Sequence, residues 1–304
     1  MSGPLRVDSA GAAKGTQSVT VGAFNVGFIF ESVDSGKATG GMIGAFGGTT
    51  RAKSMLVGVT PAMMQAITDA AYADFQAQLK ARGFTVADHA QLFAAPDFGR
   101  VKAMAAPYEA NVRLDKKSNG KATYYKPTAL SKQFMLPGDI ESSGMSGMGL
   151  TMAAGTNQYV VSQFAKSSGQ AVIDVVYLID FSELKRPGAF SMGGLQISSG
   201  MAVVDDYSKL KLVSPRGGVT AITVDQPISV EGDFASKQDV TKDAGLQKAA
   251  NVAGGVAAAF GFGGMRFGKS KTFNFTAKPE YEAGALKAAT LANARLLDQL
   301  AALR

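Results

Sequence analysis

The sequence predicts an α+β fold: a mixed, largely antiparallel sheet covered by a few helices, with a long C-terminal helix. Several segments alternate apolar and polar residues with a period of two, which is the pattern of half-buried strands. Two other segments, 61–82 and 279–303, repeat their apolar residues every three or four positions, as amphipathic helices do. Short connections late in the chain contain Gly and Asp, which favours antiparallel hairpins.

The chain of 304 residues is long enough to form one large domain or two modest ones. Residues 1–18 are polar and small, so we expect them to form a flexible tail. We expect residues 19–304 to form a single mixed α/β domain. A division of this domain into two lobes near 135–150, in a stretch rich in glycine and methionine, is the alternative.

The first strand is expected at Val19–Glu31. Its apolar alternation changes phase at Gly22, which predicts a β-bulge at that residue. A glycine-rich stretch at 35–50 then leads into a second strand at Ser54–Val59. The first half of the sheet is therefore expected to contain one long, bulged strand and one shorter strand.

The best-defined helix is expected to begin at Thr60 and Pro61, because Thr is a favoured N-cap and Pro is favoured in the first turn. Gly83 is expected to end it, since glycine readily adopts the left-handed conformation that follows many helices. Phe84–Val86 then returns to the sheet as a short strand. This helix and its two flanking strands form the clearest supersecondary unit in the sequence.

The second half of the chain contains one helix and several strands. Turn signals interrupt every short run in 92–140, so we assign no elements there. After a Gly- and Met-rich stretch at 142–155, a helix is predicted at Thr156–Lys166. Gln170–Asp180 is the most hydrophobic strand and is expected to lie centrally. Three further strands, joined as consecutive hairpins, are predicted at 195–204, 209–213 and 219–230.

A long helix is predicted at Pro279–Leu303. Its apolar residues recur at alternating intervals of three and four, which is the spacing of a coiled-coil seam. Four residues are therefore candidates for self-association: Leu286, Asn293, Leu296 and Leu300. The same spacing also fits an amphipathic helix that covers the sheet of its own subunit, and we favour this interpretation because the pattern lasts only about three heptads.

Composition excludes several classes of function. The chain has no cysteine, which rules out disulfides, thiolate catalysis and cysteine-ligated metals. Its single histidine, His89, follows Asp88, which we expect to cap a short helix rather than to serve in catalysis. The net charge of +7 is dispersed, so we predict no nucleic-acid binding, although attraction to an anionic membrane surface remains compatible. We predict no catalytic residue, no metal site and no cofactor.

One stretch fits the spacing of a phosphate-binding P-loop, namely Gly263 with Gly268, Lys269 and Ser270. A working P-loop requires a strand before it and a helix after it. Here the preceding residues 246–260 have helical periodicity, and residues 272–276 alternate as a strand. We therefore favour a glycine-rich turn that enters a strand, and nucleotide binding is the least favoured function.

The order of the elements resembles a known family. A long first strand, a helix ending in Lys-Ala-Arg-Gly-Phe-Thr-Val at 80–86, and a later helix leading into Ala171–Val176 are followed by hairpins and a closing helix. This order is similar to the periplasmic domain of curli-type outer-membrane secretion-channel lipoproteins. The resemblance covers 19–180 and the C-terminal helix, and implies a non-enzymatic, ring-forming protein. Members of that family carry lipid on a cysteine, and the printed sequence contains none.

These observations lead to one leading functional hypothesis and one alternative. The leading hypothesis is a structural or assembly protein of the bacterial cell envelope that self-associates into a ring-like homo-oligomer. We expect it in the periplasm or at the outer membrane, with the cytoplasm as the alternative, and we count the membrane surface and other envelope proteins as further partners. The alternative function is a soluble binding module for a lipid or other apolar ligand. Its lining would include Met63, Met64, Met145, Met148 and Met152.

Overall fold

The computed structural model describes residues 5–37, 49–115, 118–140, 145–185, 196–241 and 268–304. Its helices are α1 (Pro61–Ala81), α2 (His89–Ala94), α3 (Met145–Ser168) and α4 (Tyr281–Leu303). Short 3-10 helices lie at Ala10–Ala12 and Pro96–Arg100. Its strands are β1 (Leu5–Asp8), β2 (Ser18–Lys37), β3 (Thr49–Val57), β4 (Thr85–Val86), β5 (Tyr108–Asp115), β6 (Ser118–Tyr125), β7 (Ala171–Lys185), β8 (Gln196–Val203), β9 (Lys209–Val213), β10 (Val219–Val224), β11 (Ile228–Ser229), β12 (Ala235–Asp239) and β13 (Gly268–Ala277).

All of these strands belong to one sheet, which confirms the predicted α+β class. Its main order is β1-β10-β9-β7-β2-β3-β13-β12, with β4, β5 and β6 on the side of β2, and β8 and β11 on the side of β7. The parallel pairings are β2 with β7, β2 with β4, and β3 with β13, and every other described pairing is antiparallel. Strands that precede residues 135–150 in the chain pair directly with strands that follow them, as β2 does with β7. The sheet is therefore continuous across the position where the alternative of two lobes would divide the domain.

Helices cover the sheet on both faces. Successive strand residues point to opposite faces, and Phe24 and Ala23 of β2 show the two sides. Phe24 packs its ring against Tyr72 and Phe75 of α1, with ring centroids 5.5 and 5.4 Å apart. Ala23 belongs instead to a second buried cluster, which contains Val160 of α3. The molecule therefore has three layers, with a hydrophobic core on each side of the sheet.

The predicted first strand and its bulge are confirmed. In the parallel pairing of β2 with β7, the register shifts between Val21 and Ala23, which places the bulge at Gly22. A Cβ atom at Gly22 would lie only 2.7 Å from Cγ1 of Val172. Glycine is favoured here because the buried Val172 and Leu92 side chains already fill the space that a Cβ atom would occupy.

The predicted helix ends are also confirmed. The Thr60 side chain accepts a hydrogen bond from the backbone N–H of Met63 at 3.2 Å, and α1 begins at Pro61. Gly83 follows the helix with a φ of 79°, in the left-handed region that favours glycine. The Asp88 side chain caps α2 by accepting from the N–H of Ala90 at 2.9 Å.

The expected N-terminal tail is wrong for the described residues 5–18. Leu5–Asp8 forms β1, which pairs with residues 221–224 of β10. Arg6 forms ion pairs with Asp206 and Asp225 at 3.1 and 3.2 Å. A strand this short carries too few apolar residues to be recognised, because its stability comes from pairing with a neighbour that is remote in sequence.

The hairpin predicted between residues 195–204 and 209–213 is also wrong. β8 pairs with residues 179–185 of β7, and β9 pairs with residues 172–176 of the same strand. Ile179 pairs with β2 on one edge and with β8 on the other, so β8 and β9 follow each other along the edge of β7 that β2 does not occupy. The connection at 204–208 therefore joins two strands that pair with successive segments of β7 and not with each other. The next predicted hairpin, β9 to β10, is confirmed.

The helix predicted at Thr156–Lys166 begins eleven residues earlier, at Met145. The Gly- and Met-rich stretch at 142–155 is thus largely helical, with Gly149 and Gly155 inside α3. Tertiary packing overrides the weak helix propensity of glycine here. On the side of α3 that faces the sheet, Ala154, Val160 and Val161 are buried.

The region 92–140, to which the sequence pattern assigned no elements, contains the β5–β6 hairpin.

Candidate functional site

The four self-association candidates lie in or against the core of their own subunit. Asn293, Leu296 and Leu300 have no exposed surface, and Leu286 is partly buried against the same core. The Tyr177 hydroxyl donates to Oδ1 of Asn293 at 2.7 Å. Of the two interpretations of the spacing, the structure agrees with the amphipathic helix, because α4 covers the sheet of its own chain and buries the self-association candidates. The spacing of three and four is common to both kinds of helix, so sequence alone does not separate them.

The polar contacts of Asn293 extend from the sheet to α1. Its Nδ2 donates to the backbone oxygen of Ala71 at 3.0 Å and to Oδ2 of Asp74 at 2.7 Å. Near the end of α1, Arg82 binds Asp298 of α4, with 2.7 Å between guanidinium and carboxylate. A buried amide with several partners fixes the register of α4 against α1 and β7, which is an intramolecular role.

The P-loop interpretation is wrong for the described part of the motif. Gly268, Lys269 and Ser270 are the first residues of β13, which pairs in parallel with β3. β13 continues to Ala277, whereas a P-loop requires a helix directly after its serine. Gly263 lies outside the described residues. The favoured alternative, a segment that enters a strand, agrees with β13.

The methionines do not converge on an apolar pocket. Met64 is a buried residue of α1, and Met63, its neighbour in the same helix, is partly buried. Met148 and Met152 are 69% and 71% exposed on α3, on the other side of the sheet. The side chain of Met145 lies outside the described residues. The structure therefore corrects the expectation of a shared methionine lining.

A cleft opens where the two longest strands separate. β2 and β7 are paired in parallel as far as Phe28 and Ile179. Beyond these residues β2 pairs with β3, while β7 pairs with β8. The space between the diverging strands forms a cleft of about 710 Å³. The divergence of β2 and β7 forms two walls of this cleft, and residues within 204–205 and 227–232 contribute to the rest of its lining.

Carboxylates and hydroxyls dominate the polar lining of the cleft. Four acidic side chains contribute to it: Asp34, Asp180, Asp205 and Glu231. Five serines line it as well: Ser32, Ser118, Ser182, Ser199 and Ser229. None of the described lining residues carries a positive charge. The cleft is therefore an acidic site on a chain whose net charge is +7.

Asp34 is held on the β2 wall by serine hydroxyls. Its side chain is buried, with 4% of the residue exposed. Ser118 Oγ donates to Oδ1 of Asp34 at 2.5 Å, and Ser32 Oγ donates to Oδ2 at 3.4 Å. Ser32 and Asp34 point to the same face because they are two residues apart on a strand. These hydrogen bonds fix the direction of the carboxylate.

Asp180 stands on the β7 wall. Burial raises its pKa to about 6, hydrogen bonds from Ser182 oppose this rise, and the negative charge of Asp34 adds to it. The Ser182 N–H and hydroxyl donate to Oδ1 of Asp180 at 3.1 and 3.2 Å. Asp180 therefore gains its negative charge near pH 6, within the range that proteins commonly experience.

Asp205 is a second cleft carboxyl whose pKa is raised. Burial is the main cause of its raised pKa, and the neighbouring charges of Asp206 and Asp225 raise it further. A backbone hydrogen bond within Asp205 acts in the opposite direction. Titratable groups whose pKa is raised by burial and by like charges collect at functional sites.

In the sequence, Asp180 stands out only as the last residue of the most hydrophobic predicted strand, and nothing singles out Asp34 as a site residue. One signal was present in the chain: Ser32 and Asp34 stand two apart, as do Asp180 and Ser182, each near the end of an apolar strand run. This spacing puts each pair on one face. That the two pairs face a common cleft follows only from the parallel pairing of β2 and β7.

Neither a cluster of metal ligands nor a membrane-spanning helix occurs in the described part of the chain. Within the described ranges, no three acidic or histidine side chains come close enough together to hold a metal ion. No helix in the described part of the chain is both long enough and apolar enough to cross a bilayer. Comparison of the chain with protein-family models, with curated proteins and with solved structures finds no match.

Proposed function

We propose that the chain is a binding protein whose cleft between β2 and β7 holds a small ligand that carries a positive charge. One observation carries this proposal: four carboxylates line the cleft, and no described lining residue is cationic. The volume of about 710 Å³ lies within the range of small-molecule pockets. The serine hydroxyls would hydrogen-bond to polar groups of the same ligand.

Electrostatics favours entry of a cation into this cleft. A concave site lined by one sign of charge focuses its field and raises the local concentration of the opposite ion. Asp180 is neutral below its pKa of about 6 and negative above it. Affinity for a cationic ligand should therefore increase as pH rises through this value, since each added charge strengthens the attraction.

Isothermal titration calorimetry with spermidine tests the proposal. Triacetylated spermidine is the matched control, because it has a similar length but lacks the charges. We expect saturable binding of spermidine at about pH 7.5, with affinity roughly tenfold lower at about pH 5. We expect no saturable binding of the acetylated compound. Equal binding of both compounds, or no saturable binding of either, would contradict the proposal.

Two variants connect the binding to the cleft. Asp34→Asn and Asp180→Asn each remove one negative charge with little change in shape, and should each weaken spermidine binding by about tenfold. Asp97→Asn is the control, since Asp97 is an exposed carboxylate of the 3-10 helix Pro96–Arg100 and does not line the cleft. Unchanged affinity in both cleft variants would show that the ligand binds elsewhere.

The second candidate function is assembly into a ring-like homo-oligomer of the bacterial envelope. The sheet favours it through its edges: within the described residues, β1 pairs only with β10 and β12 pairs only with β13. Two different open edges on one sheet suit head-to-tail contacts between copies, and such contacts produce rings when they close. The envelope location rests on the resemblance to curli-type channel lipoproteins.

Light scattering coupled to size-exclusion chromatography tests the assembly. Lys237→Pro and Gln238→Pro are the matched variants, because successive N–H groups of a strand point to opposite edges. One of the two removes an outward N–H of β12, and the other removes an N–H that faces β13. Only the outward variant should dissociate a ring without loss of thermal stability. A monomer at micromolar concentration contradicts this candidate and leaves the cleft proposal standing.

A further inference from the structure

The outer face of α3 carries an apolar stripe. Met148, Met152, Gly155 and Tyr159 follow one another at intervals of four, three and four, which places them on one side of the helix. The residue exposures are 69% for Met148, 71% for Met152 and 52% for Tyr159. The opposite side of α3 is already used, since Ala154, Val160 and Val161 face the sheet.

This stripe concentrates most of the exposed apolar surface that the described residues show. Among the described residues, four large apolar side chains are exposed, and three of them, Met148, Met152 and Tyr159, lie on this stripe. The fourth, Val57, lies on β3, away from this helix. Single exposed apolar residues are ordinary, whereas a contiguous group marks an interaction surface.

Positive charge borders the stripe. The helix has no acidic residue, and its only charged residue is Lys166, which is exposed. Arg100 places its guanidinium 5.5 Å from the centre of the Tyr159 ring. The backbone of Lys102 attaches this segment to the buried side of α3, since its N–H donates to Oδ1 of Asn157 at 2.7 Å. One acid, Asp97, is nearby and lies 3.8 Å from Arg100.

We propose that this face of α3 docks on a membrane surface that contains anionic lipids. Met148, Met152 and Tyr159 would enter the interfacial region, while Arg100 and Lys166 contact the headgroups. An apolar stripe with a basic border is the arrangement by which surface helices bind anionic bilayers. Tyr159 suits the water–lipid boundary because its ring is apolar and its hydroxyl is polar.

Charge complementarity favours this partner over a second copy of the chain. Two copies that met through this face would bring their Arg100 and Lys166 side chains toward each other, and like charges in an interface reduce affinity. A nucleic acid would use the cations but would leave the methionines in water. An anionic bilayer engages both the apolar stripe and its border.

Vesicle co-sedimentation tests the proposal. The probes are phosphatidylcholine vesicles with and without about 30% phosphatidylglycerol. We expect binding to the anionic vesicles only, and a strong reduction at about 0.5 M NaCl because salt screens the headgroup contacts. Equal binding to neutral vesicles, or no binding to either kind, would overturn the proposal.

Variants separate the face from general surface effects. The double variant Met148→Ser/Met152→Ser should reduce the bound fraction at least about fivefold. The matched control Val57→Ser also removes an exposed apolar side chain, and should bind as the parent chain does. Arg100→Gln/Lys166→Gln should weaken binding, whereas Lys80→Gln on α1 should not.

Two outcomes of the variant series would overturn the proposal. The first is unchanged vesicle binding by the double methionine variant, with folding verified by circular dichroism. The second is a lipid-free oligomer that this variant dissociates, because the occupant of the face would then be another copy of the chain. Neither outcome depends on the ligand of the cleft.

Discussion

At the residue scale, the most unusual group is a buried cluster of charges between the sheet and the segment before α3. Asp174 of β7 pairs across the sheet with Lys211 of β9. Lys211 binds Asp139, and it also donates to the backbone oxygen of Pro137 at 2.8 Å. Asp174 and Asp139 are each 1% exposed. Lys211 thus pairs with Asp139, whereas Asp174 has no ion pair of its own among the described residues, so the cluster leaves one buried carboxyl without a partner charge.

The pKa of Asp174 is raised well above its ordinary value. Burial is the main cause, the negative charge of Asp139 adds to it, and Lys211 acts in the opposite direction. The folded chain therefore binds this proton more tightly than the unfolded chain. The ordinary pKa of an aspartate is about 4. Below this pH protonated Asp174 contributes fully to the stability of the fold, and the contribution is lost as pH rises toward the pKa of Asp174 in the folded chain.

The substitution Asp174→Asn tests this linkage. Above about pH 4 the parent chain should lose up to about 1.4 kcal/mol of stability per pH unit through Asp174, and the variant should not. We expect the stability of the variant relative to the parent to increase between about pH 5 and pH 7. Urea denaturation at three pH values measures it. A difference that does not change with pH would show that Asp174 is ionised in the folded chain.

The Tyr177 hydroxyl gives a second prediction at this scale. Tyr177→Phe leaves Oδ1 of the buried Asn293 without its 2.7 Å donor. We expect a loss of about 1–3 kcal/mol in the free energy of unfolding, the usual cost of a buried polar atom left without a partner. Tyr159→Phe is the control, because Tyr159 is half exposed and should change stability by less than about 0.5 kcal/mol.

At the element scale, the long strands β2 and β7 determine both the core and the cleft. They pair in parallel over their first halves and then accept different partners, β3 for β2 and β8 for β7. The change of partner separates the strands and leaves Asp34 and Asp180 on facing walls. A bulge at Gly22 adjusts the register in the paired half. The geometry of the site thus depends on residues that lie far from it.

Two glycine substitutions on different elements should have opposite effects. Gly22→Ala brings Cβ within 2.7 Å of Val172, so we expect a loss of about 1–3 kcal/mol. Gly155→Ala on α3 meets nothing within 4 Å, so we expect a gain of about 0.5–1 kcal/mol from the better helix propensity of alanine. Thermal unfolding of both variants measures the effects. Destabilisation by Gly155→Ala would indicate that something covers this face of α3.

At the scale of the whole molecule, the sheet has a protected centre, and its main strand order ends at β1 and β12 within the described residues. β7 and β2 lie in the middle of the strand order, with helices on both faces, whereas β1 and β12 end it. Backbone hydrogen bonds in such a centre open only when the whole domain unfolds, and edge strands open locally. Binding to the cleft and assembly through the edges would therefore involve regions of very different stability.

Hydrogen exchange followed by mass spectrometry tests this distribution. We expect residues 171–179 of β7 to exchange slowest, and β1 and β12 to exchange faster by at least about a hundredfold. Dilution should leave this difference unchanged if the chain is a monomer. If β12 is as strongly protected from exchange as β7 at high protein concentration, and loses this protection on dilution, the result would support assembly through the β12 edge.

The sequence by itself determined the fold class, the caps of α1, the bulge at Gly22 and the central position of β7. These features depend on neighbours within a few residues, through period, capping groups and backbone conformation. Only the tertiary structure decided that β1 pairs with β10, that β8 and β9 share one edge of β7, and that α4 buries Asn293. It also brought Asp34 and Asp180 to one cleft. Some of these features depend on contacts between residues more than a hundred positions apart. The others depend on which of two possible partners a strand or helix packs against, and the local apolar pattern is the same for both partners.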